Sequence, residues 1–370
     1  MSPVRWASFA QRPHKFIDWF HCRFGGEVLW LDPYPGRLPR MGDFKRSAVQ
    51  QEPHRSVFPS WLRVMSVGAA PIEPIPLLGE LNRWLWRDVV AEVSDFVGSE
   101  RTLIVVGKPS KLAVEVIGKC AGERVETLYD AMDDFPMFYS GLSRWMMGRR
   151  ESEVVERSDR VWCSSHELYK RIGAMRSDVV LVPNALDRAT ITGSRGGMES
   201  DRSKRKVFGY VGTIGAWFDW QWIITLARRF PQDEIRLIGP IHASRPRSLP
   251  PNVNLLPPCD QSTAIEKMRA FDVGLIPFFA NELTASVDPV KYYEYRGVGL
   301  PVVSTCFGEM SHRDAEPGVF LSHTHDDIHV VIEKALSYLD DHDRVAAFCE
   351  VNDWSRRFDD AWASSSLFQE

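Results

Sequence analysis

The stretch Asp288-Pro-Val-Lys291-Tyr-Tyr-Glu294-Tyr-Arg-Gly-Val-Gly299-Leu-Pro301-Val-Val-Ser-Thr sets a lysine and a carboxylate three positions apart. That spacing puts both side chains on one face of a helix. Pro289 suits a first helical turn, so Lys291 falls in a turn whose free N–H groups and dipole already favour an anion. An ammonium there can neutralise a diphosphate as its leaving-group charge grows. Glu294 can accept hydrogen bonds from both hydroxyls of a ribose. A surface ion pair between the two accounts for the same spacing. Upstream, Gly209-Tyr-Val-Gly212-Thr213-Ile-Gly215 closes an apolar run. Glycine after a strand lets the backbone approach a bulky anion, and Thr213 adds a hydroxyl. The spacing matches neither the dinucleotide fingerprint nor a P-loop, and a tight turn also fits it. In Trp217-Phe-Asp219-Trp, Asp219 is placed to cap the helix that follows.

Carboxylates cluster in Thr127-Leu-Tyr-Asp130-Ala-Met-Asp133-Asp134-Phe, which also ends an apolar run. A carboxylate at a strand end can take the proton of an attacking hydroxyl. Asp130, Asp133 and Asp134 are rivals for that role, and one of them can instead cap the next helix. Arg12-Pro-His14-Lys15 stands where a first strand turns into a helix, and Arg12 or His14 can bind sugar or phosphate there. A Pro-opened helix with a solvated basic first turn explains these residues equally. No metal is required. The Asp-x-Asp spacing of Asp341-His-Asp343 reads as a solvated helix end, and no His/Cys cluster has zinc-ligand spacing. Six dispersed cysteines without Cys-x-x-Cys point to a reducing compartment.

The elements that must hold these groups alternate. Val4–Phe9 reads as a strand, Pro13–Phe24 as a helix and Val28–Leu31 as a strand. Then come Leu103–Val106 (strand), Leu112–Cys120 (helix), Thr127–Ala131 (strand), Leu142–Glu156 (helix), Val161–Ser164 (strand) and Val179–Val182 (strand). The pattern breaks across a Gly-, Ser- and charge-rich linker, 188–206. It restarts with strands at Val207–Val211, Ile235–Ile238, Val253–Leu256, Val273–Ile276 and Pro301–Thr305, and helices at Trp220–Phe230, Ala264–Met268, Pro289–Arg296 and Ile328–Leu339. This is an α/β chain of two Rossmann-like halves, 1–187 and 207–345, facing a central cleft, with ligands outside the carboxyl ends of the strands.

A chain of 370 residues with 44% hydrophobic and 25% charged residues has room for two cores. A net charge of -4 speaks against nucleic acid as a partner. The N-terminus does not read as a signal peptide, and no apolar run is long enough for a membrane helix, so a cytoplasmic location is expected. Residues 1–63 carry ten Arg or Lys (Arg5, Arg12, Lys15, Arg23, Arg37, Arg40, Lys45, Arg46, Arg55, Arg63) against five acids. With Trp19, Phe20, Phe44, Phe58 and Trp61, this is a candidate peripheral docking face for the inner side of the cytoplasmic membrane. A solvated basic face with core aromatics is the alternative.

Taken in order, the motifs resemble the donor half of nucleotide-sugar glycosyltransferases of the GT-B fold. They are Tyr-Val-Gly212-Thr, Trp-Phe-Asp219-Trp, Leu-Ile-Gly239-Pro240, Phe271-Asp272-Val-Gly-Leu-Ile-Pro277-Phe, Pro289-Val-Lys291 and Glu294-Tyr with Gly299-Leu-Pro301-Val-Val. Ser158-Asp-Arg-Val-Trp-Cys-Ser-Ser165, Leu181-Val-Pro183-Asn184-Ala-Leu-Asp187 and Asn352-Asp-Trp354 extend the likeness. The resemblance implies transfer of a sugar from a nucleotide donor, a UDP-sugar, to a carbohydrate or lipid-linked acceptor in bacterial surface polysaccharide synthesis. It implies no cofactor beyond that cosubstrate. Gly212 and Thr213 would face the phosphates, Lys291 the diphosphate and Glu294 the ribose, and residues 346–370 would cross back onto the N-terminal domain. Many retaining members carry a second glutamate eight positions before the one matched by Glu294; here that position is Ser286. The strand-end aspartates are loosely similar to the xanthan-type glucuronosyltransferases, which invert and whose base matches Asp133. A nucleotide-sugar epimerase and a catalytically silent partner of the same fold are the alternatives.

Overall fold

The computed structural model describes residues 1–34, 58–69, 76–191 and 205–363. It divides into two units: 1–182 with 358–370, and 183–357.

The first unit runs α1 (Arg12–Phe24), β1 (Val28–Leu31), β2 (Leu62–Met65), α2 (Pro76–Leu85), α3 (Arg87–Val97), β3 (Thr102–Val106), α4 (Lys111–Cys120), β4 (Val125–Ala131), α5 (Gly141–Arg157), β5 (Arg160–Cys163), α6 (His166–Gly173) and β6 (Val179–Leu181). β3, β4, β5 and β6 form a parallel sheet in that order, and β1 and β2 form a separate parallel pair. β4 is buried from Glu126 to Ala131, as expected of a parallel strand covered on both faces. Two helices start at serine caps. Ser110 Oγ accepts from Ala113 N, and Ser165 Oγ accepts from Leu168 N.

Residues 4–9 do not form the strand their composition suggests. Pro3 has no N–H to give a ladder. The donors that follow go elsewhere: Val4 N to Ser2 Oγ, Trp6 N to Asp32 Oδ1 and Ser8 N to Arg5 O. The aromatic ends of the chain complete this unit. Phe358 packs edge-on against Phe16 and stacks on Trp162, and Trp362 packs against Trp19 and Phe20.

The second unit runs β7 (Val207–Val211), α7 (Trp220–Arg229), β8 (Glu234–Ile238), β9 (Val253–Leu256), α8 (Gln261–Arg269), β10 (Val273–Ile276), α9 (Val290–Gly297), β11 (Val302–Thr305), β12 (Val319–Ser322), α10 (Ile328–Leu336) and α11 (His342–Val351). A last helix, α12 (Trp354–Trp362), leads from this unit into the first. The six strands are parallel, in the order β9-β8-β7-β10-β11-β12. Strand order therefore reverses between β7 and β10, the switch point at which doubly wound sheets bind ligands.

The division at Val182/Pro183 falls ahead of the segment that sequence marks as linker. Residues 183–191 are tied into the second unit: Leu186 N bonds to Asn352 O, and Trp354 N bonds to Leu186 O. Residues 192–204 of that segment, and 364–370 of the C-terminal one, lie outside the described residues.

Gly209 in β7 shows why the core needs glycine there. A Cβ on it would lie 2.0 Å from the Phe271 ring. Gly209→Ala is expected to lower stability by about 1–3 kcal/mol through overpacking, read as a lower denaturant midpoint. An unchanged midpoint would show that Phe271 has room to move.

Candidate functional site

β7 ends at Val211, and the chain turns at Gly212 with φ +142. This is backbone that an L side chain avoids. The turn is held from three sides. Gly212 N donates to Ile238 O, the Tyr210 hydroxyl donates to Thr213 O, and Val211 N donates to the Tyr295 hydroxyl. Gly239, φ +138, lies so close beneath it that a Cβ there would meet Gly212 O at 2.3 Å.

Lys291, near the start of α9, reaches over this turn. A Cβ at Gly212 would lie 2.4 Å from Lys291 Cε and 2.6 Å from Nζ. The ammonium is 5.4 Å from the centroid of the Tyr210 ring, a cation–π distance. Among the described residues it has no hydrogen-bond or ion-pair partner. Burial lowers its pKa, and the charge of Glu294 works in the opposite sense. Glu294 is half-buried on the same helix face. Thr213 is half-buried too, and its hydroxyl has no partner among the described residues. The structure thus brings Gly212, Thr213, Lys291 and Glu294 together at the switch point of the second sheet.

What fixes α9 was not legible in sequence. Pro289 occupies the cap rather than the first turn, and Lys291 is the second helical residue. The buried Asp288 just before the cap accepts from Asn184 N (2.7 Å), the Tyr293 hydroxyl (2.9 Å) and Arg313 (2.8 Å). Arg313 lies 3.9 Å from the Tyr292 ring centroid and also donates to the Tyr293 hydroxyl. Burial and Asp288 push the Tyr293 pKa up. Asp288 and Tyr293 stand in the lysine-bearing stretch, where the sequence assigns them no role, and Arg313 lies outside every motif read from it. Asp219 does cap α7, accepting from Trp222 N at 2.9 Å. Asp341 caps α11 by accepting from Asp343 N, so the Asp-x-Asp spacing is a helix start rather than a helix end.

In the first unit the candidates separate sharply. His14 is buried between the Trp6 and Trp30 rings. Its Nδ1 accepts from Gln11 N, and its Nε2 lies 3.2 Å from Trp6 O. It is a core residue and is not available to a sugar or phosphate. Arg12 is equally buried. It makes a forked pair with Asp130, Nε at 2.9 Å and the terminal nitrogen at 2.8 Å, and also donates to Val182 O. Asp134 is buried beside Arg171, whose Nε is 3.5 Å away. Arg171 also pairs with the buried Glu151, which accepts from the Tyr129 hydroxyl. Asp133, in the loop that follows β4, is the half-exposed member of the group. Burial raises its pKa from 3.8 to about 7; Arg12 opposes that shift, and Asp130 and Asp134 reinforce it. A carboxylate that titrates there is matched to general-base work near neutrality.

The candidate membrane face is thinned by the same packing. Trp19 is buried and donates to Asp359, and Trp61 stacks on His21 at 4.1 Å. Phe58 is exposed. Arg37, Arg40, Phe44, Lys45, Arg46 and Arg55 lie outside the described residues. No helix among the described residues is long and apolar enough to cross a membrane.

No protein-family model matches the chain. Among curated proteins it is similar to the "Putative teichuronic acid biosynthesis glycosyltransferase TuaH" of Bacillus subtilis (strain 168), 26% identical over 201 residues, 49% of this chain and 50% of that protein. The chain spans about half the length of that relative. Solved structures align over nearly the whole chain. Anabaena HepE in complex with UDP and glucose aligns with a TM-score of 0.61 at 16% identity, over 98% of this chain and 94% of that one. Sucrose-phosphate synthase from Thermosynechococcus elongatus gives 0.63 at 13%, over 95% and 93%. The lipopolysaccharide outer core galactosyltransferase WaaB gives 0.58 at 14%, over 91% and 99%. The chain has the GT-B fold. The two Rossmann-like units of that fold are the two units described above, and the turn at Gly212 lies in the C-terminal one.

The Asp133 shift carries a sign that can be checked. A carboxyl whose pKa is higher folded than unfolded binds more protons when folded, so stability falls as pH rises from about 4 to about 7. Asp133→Asn removes that penalty. The variant should match the parent protein at about pH 4 and exceed it in denaturant midpoint at about pH 8. Equal midpoints at the higher pH would contradict the assigned shift.

Proposed function

We propose that the protein is a glycosyltransferase that moves a hexosyl or uronosyl group from a UDP-sugar to a carbohydrate or lipid-linked acceptor in surface polysaccharide synthesis. The observation that carries this reading is the Lys291 ammonium, without a hydrogen-bond or ion-pair partner among the described residues, over the Gly212 turn at the switch point. Its support from outside is the likeness to a protein named for teichuronic acid biosynthesis and to GT-B structures holding UDP and glucose.

In this reading the diphosphate lies on the Gly212–Thr213 turn, with Lys291 and the amino end of α9 facing its oxygens. Glu294 takes the ribose hydroxyls. An acceptor hydroxyl gives its proton to Asp133 as its oxygen bonds to the anomeric carbon. The bond from that carbon to the diphosphate breaks, and its electron pair leaves on UDP. Lys291 meets the charge so released, which is the reason to read the transfer as metal-independent. Arg12 and Asp130 act one step back. Their pair fixes the carboxyl end of β4 and sets the field in which Asp133 titrates.

Release of UDP that depends on added acceptor separates this activity from an epimerase, and UDP binding separates it from a silent partner. Lys291→Ala should weaken UDP binding and lower kcat by about 10²–10³-fold. Asp133→Asn should lower kcat by about 10²–10⁴-fold while UDP still binds. Acceptor-dependent turnover that survives in both variants would remove these residues from the chemistry.

A further inference from the structure

Asn184 belongs to the motif Leu181-Val-Pro183-Asn184-Ala-Leu-Asp187, and it is the second residue of the chain as it enters the second unit. It is buried and grips Asp288 at two points. Its backbone N–H donates to Asp288 Oδ2 at 2.7 Å, and its side-chain Nδ2 donates to the Asp288 carbonyl at 2.7 Å. Further along the same segment, Leu186 and Ile191 reach the opposite end of α9. A Cβ on Gly297, the last residue of that helix, would lie 2.9 Å from a methyl of each. Residues 184–191 thus hold α9 at both ends. They are themselves fixed, since Leu186 forms a parallel bridge with Asp353 and Arg188 N donates to Asp353 Oδ1 at 3.0 Å.

The three residues that hold Asp288 constrain different things. Tyr293 stands on α9 and moves with it, so its bond to Oδ2 cannot set where the helix lies. Arg313 grips the other carboxylate oxygen and leaves the main chain untouched. Asn184 holds the Asp288 carbonyl as well as the carboxylate. That carbonyl lies in the planar peptide unit joining Asp288 to Pro289, and the Pro289 ring locks the next torsion, φ -77. An orientation fixed at the carbonyl therefore carries through the cap into Val290 and Lys291, the first two residues of α9. Lys291 has little latitude. A Cβ at Gly212 would come within 2.4 Å of its Cε and 2.6 Å of its Nζ. A small rotation of the helix start is carried to the end of the lysine side chain, and a charge-assisted hydrogen bond weakens steeply with such a change in distance and angle.

We infer that Asn184 is a positioning residue for diphosphate binding: it sets the amino end of α9 so that Lys291 meets a phosphate oxygen at the Gly212 turn. This role rests on the proposed placement of the diphosphate against Lys291. Asn184 touches no substrate and acts through Asp288 and α9. The residue type follows from the two contacts. A carbonyl oxygen needs a donor, and a carboxamide supplies one without adding charge beside the Asp288 carboxylate. Aspartate has the same shape but donates only when protonated. Alanine keeps the backbone bond to Oδ2 and loses the hold on the carbonyl.

Titration calorimetry with UDP on a double-mutant cycle tests this. Asn184→Ala should raise the Kd for UDP by about tenfold in the parent background, and by much less in Lys291→Ala, where the group it positions is gone. An unchanged Kd, or an equal loss in both backgrounds, would overturn the proposal. Asn184→Asp gives a second reading that holds even if the alanine variant folds poorly, because it keeps the shape and the backbone bond. Its Kd, taken relative to the parent at the same pH, should approach the parent value at about pH 5 and rise toward about pH 8, as the carboxyl ionises, loses its donor and sets a second charge beside Asp288. A ratio that does not rise with pH would also overturn the proposal. A parent protein that does not bind UDP, or a Lys291→Ala variant that binds it as tightly, removes the role of Lys291 along with that of Asn184. A loss in Lys291→Ala with none in Asn184→Ala removes that of Asn184 only.

Discussion

A lysine ammonium pressed against bare backbone is the constraint around which the C-terminal unit is arranged. Lys291 can lie over Gly212 only because that position lacks a side chain and adopts a φ of +142. Gly212 can turn there only because Gly239 gives room beneath it. The base of the arrangement is fixed by Asp288, which collects three donors and thereby sets the start of α9. A buried carboxylate with that many partners is held in place, and removing one partner would leave the rest poorly compensated. The outcome is a half-buried cation with an aromatic ring for its neighbour and, among the described residues, no anion paired to it. Such a group is poised to gain most from an incoming anion, which would restore the charge that burial disfavours.

The N-terminal unit solves the opposite problem. It gathers Asp130, Asp133, Asp134 and Glu151 at and around one strand end, and like charges so close cannot all ionise without compensation. Arg12 answers Asp130, and Arg171 answers Glu151 and Asp134. Asp133 is left with the weakest compensation and the most exposure. Its raised pKa comes first from burial; Arg12 opposes the rise, and the neighbouring Asp130 and Asp134 add to it.

Most of the second unit was legible because parallel strands buried on both faces read as short apolar runs. β7, β8, β9, β10 and β11 all declare themselves this way. The residues around the Gly212 turn were legible for a local reason: glycine after a strand and lysine in a first helical turn are nearest-neighbour signals. The candidates of the N-terminal unit were less so. Arg12 and His14 look like exposed basic residues in Arg-Pro-His-Lys, because nothing local shows that Asp130, 118 positions away, will pair with one or that two tryptophans will enclose the other. Arg313 gave no signal, since its partners come together only through the tertiary fold. Residues 4–9 misled because β-branched and aromatic content is a weaker guide than the fate of each backbone N–H, which here is settled by Pro3, Ser2 and Asp32.

The most direct test of the account is a structure of the protein crystallised with UDP. It should place the diphosphate on the Gly212–Thr213 turn, with Lys291 Nζ at a charge-assisted hydrogen-bond distance of about 2.7–2.9 Å from a phosphate oxygen. A diphosphate bound elsewhere, or a Lys291 side chain turned away from it, would contradict the account.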